Sequence, residues 1–286
     1  MHSSAPRKVG FWRKFARNRL AVVGLLMLLL MATVAVFADF FAPYSPLEMN
    51  LGNAYAPPGS EGHLLGTDNY GRDILSRIIH GSRISLTIGL VVVSIAATVG
   101  TLLGLLAGFL GGWVDMLIMR LVEIFYAFPF LILVIAVMAI LGPNIFNVMW
   151  VLGAVSWPIY ARLVRAVVLG LREQEFVEAA RSGGASTSRL IFRHVLPNSL
   201  TPVIVTATFG IPEAILSAAA LGFLGLGVQP PTPEWGALVS EGKDFIRRAP
   251  FLITWPGLAI MITVMSFNFL GDGLRDTLDP RLNKGK

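Results

Sequence analysis

The chain has 286 residues, of which 55% are hydrophobic and 14% charged, with a mean hydropathy of +0.69. A soluble domain carries about 25% charged residues, so this composition belongs in lipid, and the net charge of +6 sits beside apolar runs, a membrane-orientation pattern rather than a nucleic-acid surface. The absence of cysteine excludes disulfides, thiolate metal sites and a cysteine nucleophile.

A basic tail over 1–19 leads into the first apolar run, Leu20 to Ala38, which holds 19 uncharged residues. That is long for the apolar region of a signal peptide and close to the ~20 residues needed to span a bilayer. The run is therefore expected to be an uncleaved signal-anchor span, with Val36 and Ala38 marking where the alternative, a cleaved signal, would end. Residues 39–82 are polar and close with HLLGTDNYGRDILSRIIHG. Within it Ile74, Leu75, Ile78 and Ile79 share one helical face, Arg72, Ser76 and Arg77 lie elsewhere, and Gly81 is placed to stop the helix. A short amphipathic helix is expected there, either lying along the membrane interface or packed on the spans.

Ile84 to Val114 carries no charge and predicts a second span over 84–111. Ile124 to Ala161 is charge-free over 38 residues. As one helix it would reach about 57 Å, nearly twice the ~30 Å hydrocarbon core. Gly142-Pro143-Asn144 reads as a turn inside it, which predicts a hairpin of spans over 115–141 and 145–168, kinked at Pro129 and Pro158. Glu123 is expected to pair with Arg120 one turn away.

The segment 170–197 is polar. Good helix formers run from Arg172 to Ser182, Gly183-Gly184 breaks them, Ser186 caps a second helix carrying Leu190, Ile191, Phe192 and Val195, and Pro197 is placed to end it. Two short helices on a glycine turn make a knob, and burial of Leu190 or Phe192 in a partner would contribute about 1.5–3 kcal/mol each. An amphipathic loop packed on its own bundle fits the same pattern equally well.

Spans five and six are expected over 199–222 and 251–272. Between them, 223–250, the string GFLGLGVQPPTPEWG has four glycines and three prolines, which exclude a regular span and predict a bent re-entrant or loop structure. Glu213 is the carboxylate placed deep in a predicted span, where an ionisable group faces a bundle interior or a cavity. It could line a pathway and meet a substrate amine, or it could hydrogen-bond a neighbouring helix. Ser266 and Asn268 are expected at helix–helix contacts. With the N-terminus inside, 17 of the 23 Lys and Arg residues fall on the inner side. This bias puts both termini, including the tail 274–286, and the knob in the cytoplasm, with 39–82 and 223–250 outside. There is no strong internal repeat and no low-complexity segment.

Enzyme readings fail on inventory. None of His2, His63, His80 and His194 falls in a predicted span, so an intramembrane serine hydrolase has no base in place. No HExxH zinc site is present, Phe269 stands where an intramembrane aspartyl protease motif around Gly271-Asp272 needs glycine, and Gly242-Lys243 is followed by Asp244 rather than by the Ser or Thr of a phosphate-binding loop. A self-sufficient secondary transporter would carry ionisable relays in several spans and a repeat, whereas only Glu213 is deeply placed.

Glu178-Ala179-Ala180, then Gly184, then Leu196-Pro197, matches the EAA motif of ABC importer permeases. FWRKFARNRLAVVG, GTDNYGRD, YARLVRA, FRHVLPN, AALGFLGLGVQPPTPEWG and GDGLRDTLDPRL, in this order along nearly the whole chain, are similar to the C-type permease subunit of bacterial dipeptide and oligopeptide ABC importers. Two positions depart from that pattern: His194 stands where the motif places Ile, and Ser182-Gly183 replaces a bulkier pair. The resemblance implies an all-α polytopic membrane protein, a type-1 ABC permease bundle of six transmembrane helices with its transmembrane domain over 83–273. It implies a site for coupling to ATPase subunits at Glu178, Ala179, Ala180, Gly184, Phe192, Leu196 and Pro197. The expected partners are a homologous second permease, two ATPase subunits, an extracytoplasmic binding protein and the bilayer of a bacterial inner membrane, with no nucleic acid. This chain is expected to bind no cofactor or metal and to be no enzyme, ATP and magnesium belonging to the ATPases. The implied cargo is di- or oligopeptides, or in relatives nickel complexes, glutathione or opines.

Overall fold

A computed structural model describes residues 11–278. Residues 1–10 of the expected tail 1–19 and 279–286 of the expected tail 274–286, with His2 and the last residues of GDGLRDTLDPRL, lie outside the described residues. The helices in chain order are α1 (Phe11–Phe15), α2 (Arg19–Val36), α3 (Ala38–Phe41), α4 (Ile74–Leu110), α5 (Gly112–Tyr126), α6 (Phe130–Leu141), α7 (Ile145–Leu171), α8 (Glu175–Ser182), α9 (Thr187–Arg189), α10 (Leu196–Phe223), α11 (Trp235–Gly242) and α12 (Phe251–Leu278), and no strand occurs among the described residues. Five helices are long and apolar enough to cross a membrane: α2, α4, α7, α12, and α10 with the turn that precedes it. The bent pair α5–α6 makes a sixth span if counted as one.

Two expected boundaries are corrected. Gly81 does not stop a short surface helix. Residues 74–80 are the first two turns of α4, which runs unbroken for 37 residues, about 55 Å at 1.5 Å per residue. Asp73 caps it by accepting from the Ser76 N–H at 2.7 Å. Gly81 is retained inside the helix because Trp235 packs on it: a Cβ there would lie 2.9 Å from the indole ring. The span expected over 115–141 is two helices bent by 86° at Ala127–Pro129. Pro129 has no N–H to continue α5. Pro158, by contrast, lies within continuous α7. The turn at Gly142-Pro143-Asn144 forms as expected, with Gly142 at φ 82° and Asn144 capping α7 through the Phe146 N–H at 2.8 Å.

α4 packs closely on α7. Gly100, Gly104 and Gly108 repeat every four residues on one face of α4. A Cβ at each would lie 2.5 Å from the Trp157 carbonyl, 2.6 Å from that of Ala161 and 2.8 Å from Val168 Cβ. In lipid, where apolar surface gains little by association, such small-residue seams let backbones approach and gain dispersion contact. Gly153 accepts Ile95 in return. On the other side α2 lies along α12, with Gly24 over the Ser266 carbonyl and Gly273 over Ala21. Ser266 is therefore at a helix contact, as expected, whereas Asn268 is exposed in this chain.

The segment 42–73 forms a compact loop layer at the end of the bundle where α4 begins. Asp68 organises it. Its Oδ1 accepts from the Tyr70 and Arg72 N–H groups at 2.9 and 3.0 Å, and its Oδ2 accepts from Arg72 Nε and an Arg77 Nη at 2.6 Å each. Glu241 of α11 closes the network, at 2.8 Å from Arg72 and 2.7 Å from Arg77. Arg72 and Arg77, which lie off the apolar face of Ile74, Leu75, Ile78 and Ile79, are thus buried as well. Gly71, at φ 72°, passes so close to the Asn50 carbonyl that no side chain fits. Arg83, and then His80, hydrogen-bond Asp39 in the first turn of α3 and hold its carboxyl below the usual carboxylate range.

The string GFLGLGVQPPTPEWG forms a loop that returns to the bundle and seats α11 against α4, α10 and α12. Glu234 is 1% exposed, yet its carboxylate accepts from Ser85 Oγ and from the Gly236 and Ala237 N–H groups, each at 2.9 Å. These three bonds satisfy a charge whose unpaired burial would be costly.

Candidate functional site

Two features stand apart from the packed bundle. The first is the knob between α7 and α10. α8 ends in a Schellman arrangement: the Ala185 N–H reaches the Ala180 carbonyl at 3.1 Å and the Gly184 N–H reaches that of Arg181 at 3.0 Å. This requires Gly184 at φ 81°, while Gly183 keeps an ordinary φ of −76°. A Cβ on Gly184 would meet nothing within 4 Å, so glycine is used there for its backbone freedom alone. Ser186 caps α9, accepting from the Arg189 N–H at 3.4 Å.

The expected end of the second helix at Pro197 does not occur. The chain widens into a π-helical turn, Leu190–Val195, and continues into α10 with Pro197 in its first turn. Proline cannot donate to the carbonyl four residues back, and the register shifts just before it: the Leu196 N–H bonds to the Ile191 carbonyl, five residues back. Asn198 Nδ2 donates to the His194 carbonyl at 2.6 Å. Val177, Leu190, Ile191 and Val195 are buried in the main core. Leu190 is therefore not free to enter a partner, contrary to one of the two expected anchors. Phe192, 57% exposed, is free, and Phe176, 43% exposed, joins it. Glu178 and Ala179 are exposed, Ala180 and Leu196 are half-buried, and Pro197 is exposed. The residues of the expected coupling set thus surround a protruding surface carrying two exposed aromatic rings. Phe176 was missed because its neighbours Glu175 and Glu178 made the stretch read as polar.

The second feature is a cavity of about 260 Å³ in the wall of the bundle. The break between α5 and α6 supplies Phe125, Tyr126, Phe128 and Phe130, α7 supplies Ser156, Pro158 and Tyr160, and α10 supplies Phe209, Glu213 and Ser217. The 86° bend is what turns these four aromatic residues toward α10. Glu213 is exposed to the cavity and has no hydrogen bond or ion pair to a neighbouring helix among the described residues. Two arginines of α7 hold α5 at its two ends. Arg165 makes a two-point ion pair with Asp115, one contact at 2.6 Å, and Arg162 lies 4.4 Å from the centroid of the Tyr126 ring. Arg120 and Glu123 pair at 2.7 Å on the surface of α5, as expected. No group of three or more metal-ligating side chains occurs among the described residues.

The chain is similar to known membrane transport proteins along nearly its whole length. Residues 100–284 match the family described as binding-protein-dependent transport system inner membrane component, and residues 9–58 match the N-terminal TM domain of oligopeptide transport permease C. The dipeptide transport system permease protein DppC of Escherichia coli K12 is 50% identical over 279 residues, covering 96% of this chain and 93% of that one. The glutathione transport system permease protein GsiD of Escherichia coli O6:K15:H31 is 47% identical over 276 residues, covering 95% and 90%. Among solved structures, an inward-facing form of the MetNI methionine ABC transporter aligns with 72% of this chain and 98% of its own, with a TM-score of 0.60 at 20% identity, a likeness of fold. By family match and by identity, this chain belongs to the inner membrane components of binding-protein-dependent transport systems, as a permease subunit and not an enzyme.

Proposed function

We propose that this chain forms half of the translocation pathway of an ATP-driven importer for di- or oligopeptides or a related small solute such as glutathione, and that the knob from Glu175 to Pro197 receives the ATPase subunits. The observation that carries the coupling role is the knob itself. It holds the EAA residues, its inner face is continuous with the bundle core through Val177 and Ile191, and its outer face presents Phe176 and Phe192. A rigid element anchored in this way can pass a push into α7 and α10, and α10 carries Glu213. The peptide class is supported by near-full-length identity to proteins named for dipeptide and glutathione transport.

In this reading the knob faces the cytoplasm, both termini lie inside, and the loop layer 42–73 with α11 faces a binding protein on the opposite side. The Lys and Arg bias supports that orientation. A second, homologous permease completes the pathway, and ATP with magnesium stays on the ATPases.

The coupling role is tested with Phe192→Ala in the assembled transporter. Its ring is exposed, so the chain should insert and fold normally, while burial of the ring in a partner contributes about 1.5–3 kcal/mol. Co-purification of the ATPases should fall by tenfold or more. Undiminished co-purification and uptake would remove the knob from the interface. Orientation is tested by single cysteines in this cysteine-free chain: Asn53→Cys should react with an impermeant thiol reagent from the outside, and Ser186→Cys only after the membrane is opened.

A further inference from the structure

The first span is entered through a short aromatic and basic helix that neither the pathway nor the knob uses. α2 rises about 27 Å over its 18 residues at 1.5 Å per residue, close to the ~30 Å hydrocarbon core. Its far end meets α3, where Asp39 bonds His80 and Arg83 beside the loop layer. Its start, and α1 with it, therefore lies at the opposite end of the bundle, at headgroup depth. α1 is held there by its neighbours. Phe15, 4% exposed, packs on Gly273 of α12, where a Cβ would lie 3.2 Å from its ring. The Ala16 N–H bonds to the Trp12 carbonyl at 2.9 Å and the Asn18 N–H to that of Phe15 at 3.0 Å. Asn18 then caps α2 through the Ala21 N–H at 3.2 Å and donates to Asp276 of α12 at 3.4 Å. On this fixed turn Arg13, Arg17 and Arg19 are exposed and make no ion pair among the described residues. Trp12, 73% exposed, stands among them, its ring 5.4 Å from that of Phe11 and 6.4 Å from that of Phe15.

An exposed tryptophan at the end of a span settles at the membrane–water boundary. A guanidinium presents a planar fork of N–H donors that fits two oxygens of a phosphate. Basic residues gathered at the end of a span attract anionic headgroups. We propose that α1 and the turn into α2 form a docking site for anionic phospholipid. Arg13, Arg17 and Arg19 receive the headgroup phosphate, and Trp12 lies at the boundary with the acyl chains. Three cations without internal partners favour a headgroup of net negative charge over phosphatidylcholine, whose own ammonium offsets its phosphate. Phe15 and Asn18 tie the site to α12, so a bound lipid is fixed to the bundle rather than to a loose tail. The lipid is a component of the membrane and not cargo, and the site is independent of which solute is carried.

The test uses the complete transporter, its other chains freed of reactive cysteine, with a fluorophore on Ala16→Cys, an exposed position in the turn. Phe40→Cys, exposed at the far end of α2, serves as the control. Nanodiscs of phosphatidylcholine carry a minor share of lipid with brominated acyl chains, which quench a nearby fluorophore, and that share is either phosphatidylglycerol or phosphatidylcholine. At Ala16→Cys the brominated phosphatidylglycerol should quench at least threefold more strongly than the brominated phosphatidylcholine. At Phe40→Cys the two should quench alike. Replacing all three arginines, by Arg13→Gln, Arg17→Gln and Arg19→Gln, should erase the preference at Ala16→Cys. Equal quenching by both lipids at Ala16→Cys overturns the site, and this comparison needs no arginine variant, so a misinserted variant does not blunt it. A preference equal at both positions, or one that survives the triple substitution, overturns it as well. If excess inorganic phosphate at fixed ionic strength erases the preference, the turn takes a free anion and the assignment to lipid falls.

Discussion

The loop layer beside α11 and the cavity between α5, α7 and α10 use the same residue types to opposite ends. In the first, two arginines and two carboxylates are packed until Arg72 and Arg77 are 1% and 2% exposed, with the acidic oxygens 2.6 to 3.2 Å away. In the second, Glu213 stands open in the wall with no ion-pair partner among the described residues. A charge whose partners are supplied by its own chain holds structure together. A charge left facing a cavity is available to something that arrives. The difference shows why an acidic residue inside a membrane chain is informative only once its surroundings are known: Glu234 is far more buried than Glu213, but three donors already satisfy it.

The contrast is sharpest where the two kinds of charge are removed. Asp68→Ala should leave Arg72 and Arg77 sharing Glu241 alone, and breaking a buried ion-pair network by removing one partner costs about 3–5 kcal/mol. The yield of monodisperse detergent-extracted protein should collapse. A variant that extracts and unfolds like the parent would show that the loop layer is not held by these charges. Gly104→Ala comes next. Its Cβ would sit 2.6 Å from the Ala161 carbonyl, and overpacking of this kind costs about 1–3 kcal/mol, so the unfolding midpoint should fall by several degrees.

Gly184→Val acts locally. A non-glycine residue in the left-handed region costs about 1–2 kcal/mol, and since nothing lies near the added side chain, the strain should distort the knob and leave the bundle intact. Insertion should be normal and ATPase co-purification reduced; normal co-purification would show that the turn tolerates another conformation. Glu213→Gln should have the smallest effect on stability, within about 0.5 kcal/mol, as for substitutions that break no internal contact. An unfolding midpoint lowered as far as by Asp68→Ala would mean that Glu213 is structural after all, and the contrast between the two regions would collapse.

Much of this was legible along the chain because lipid imposes a simple rule. A backbone in hydrocarbon must satisfy its own hydrogen bonds, so a charge-free run of the right length is a helix, and the glycine–proline–asparagine turn divides the one run that is too long. Ser186 and Gly184 were readable for a related reason: a helix cap and a left-handed turn are set by a few consecutive residues and their own backbone. Where neighbours in space decide, the sequence misled. Gly81 lies inside α4 rather than ending a helix, and it is Trp235, 154 positions later, that leaves no room for a side chain there. The burial of Arg72 and Arg77 was not readable because their partner Glu241 is remote in sequence. Pro197 passes into α10 because a widened turn absorbs its missing donor. Glu213 is a charge that the sequence displays openly. Only the packing of α7 and α10 around the bend at Pro129 sets it in the wall of a cavity, because helix contact, unlike helix formation, depends on side chains far apart in the chain.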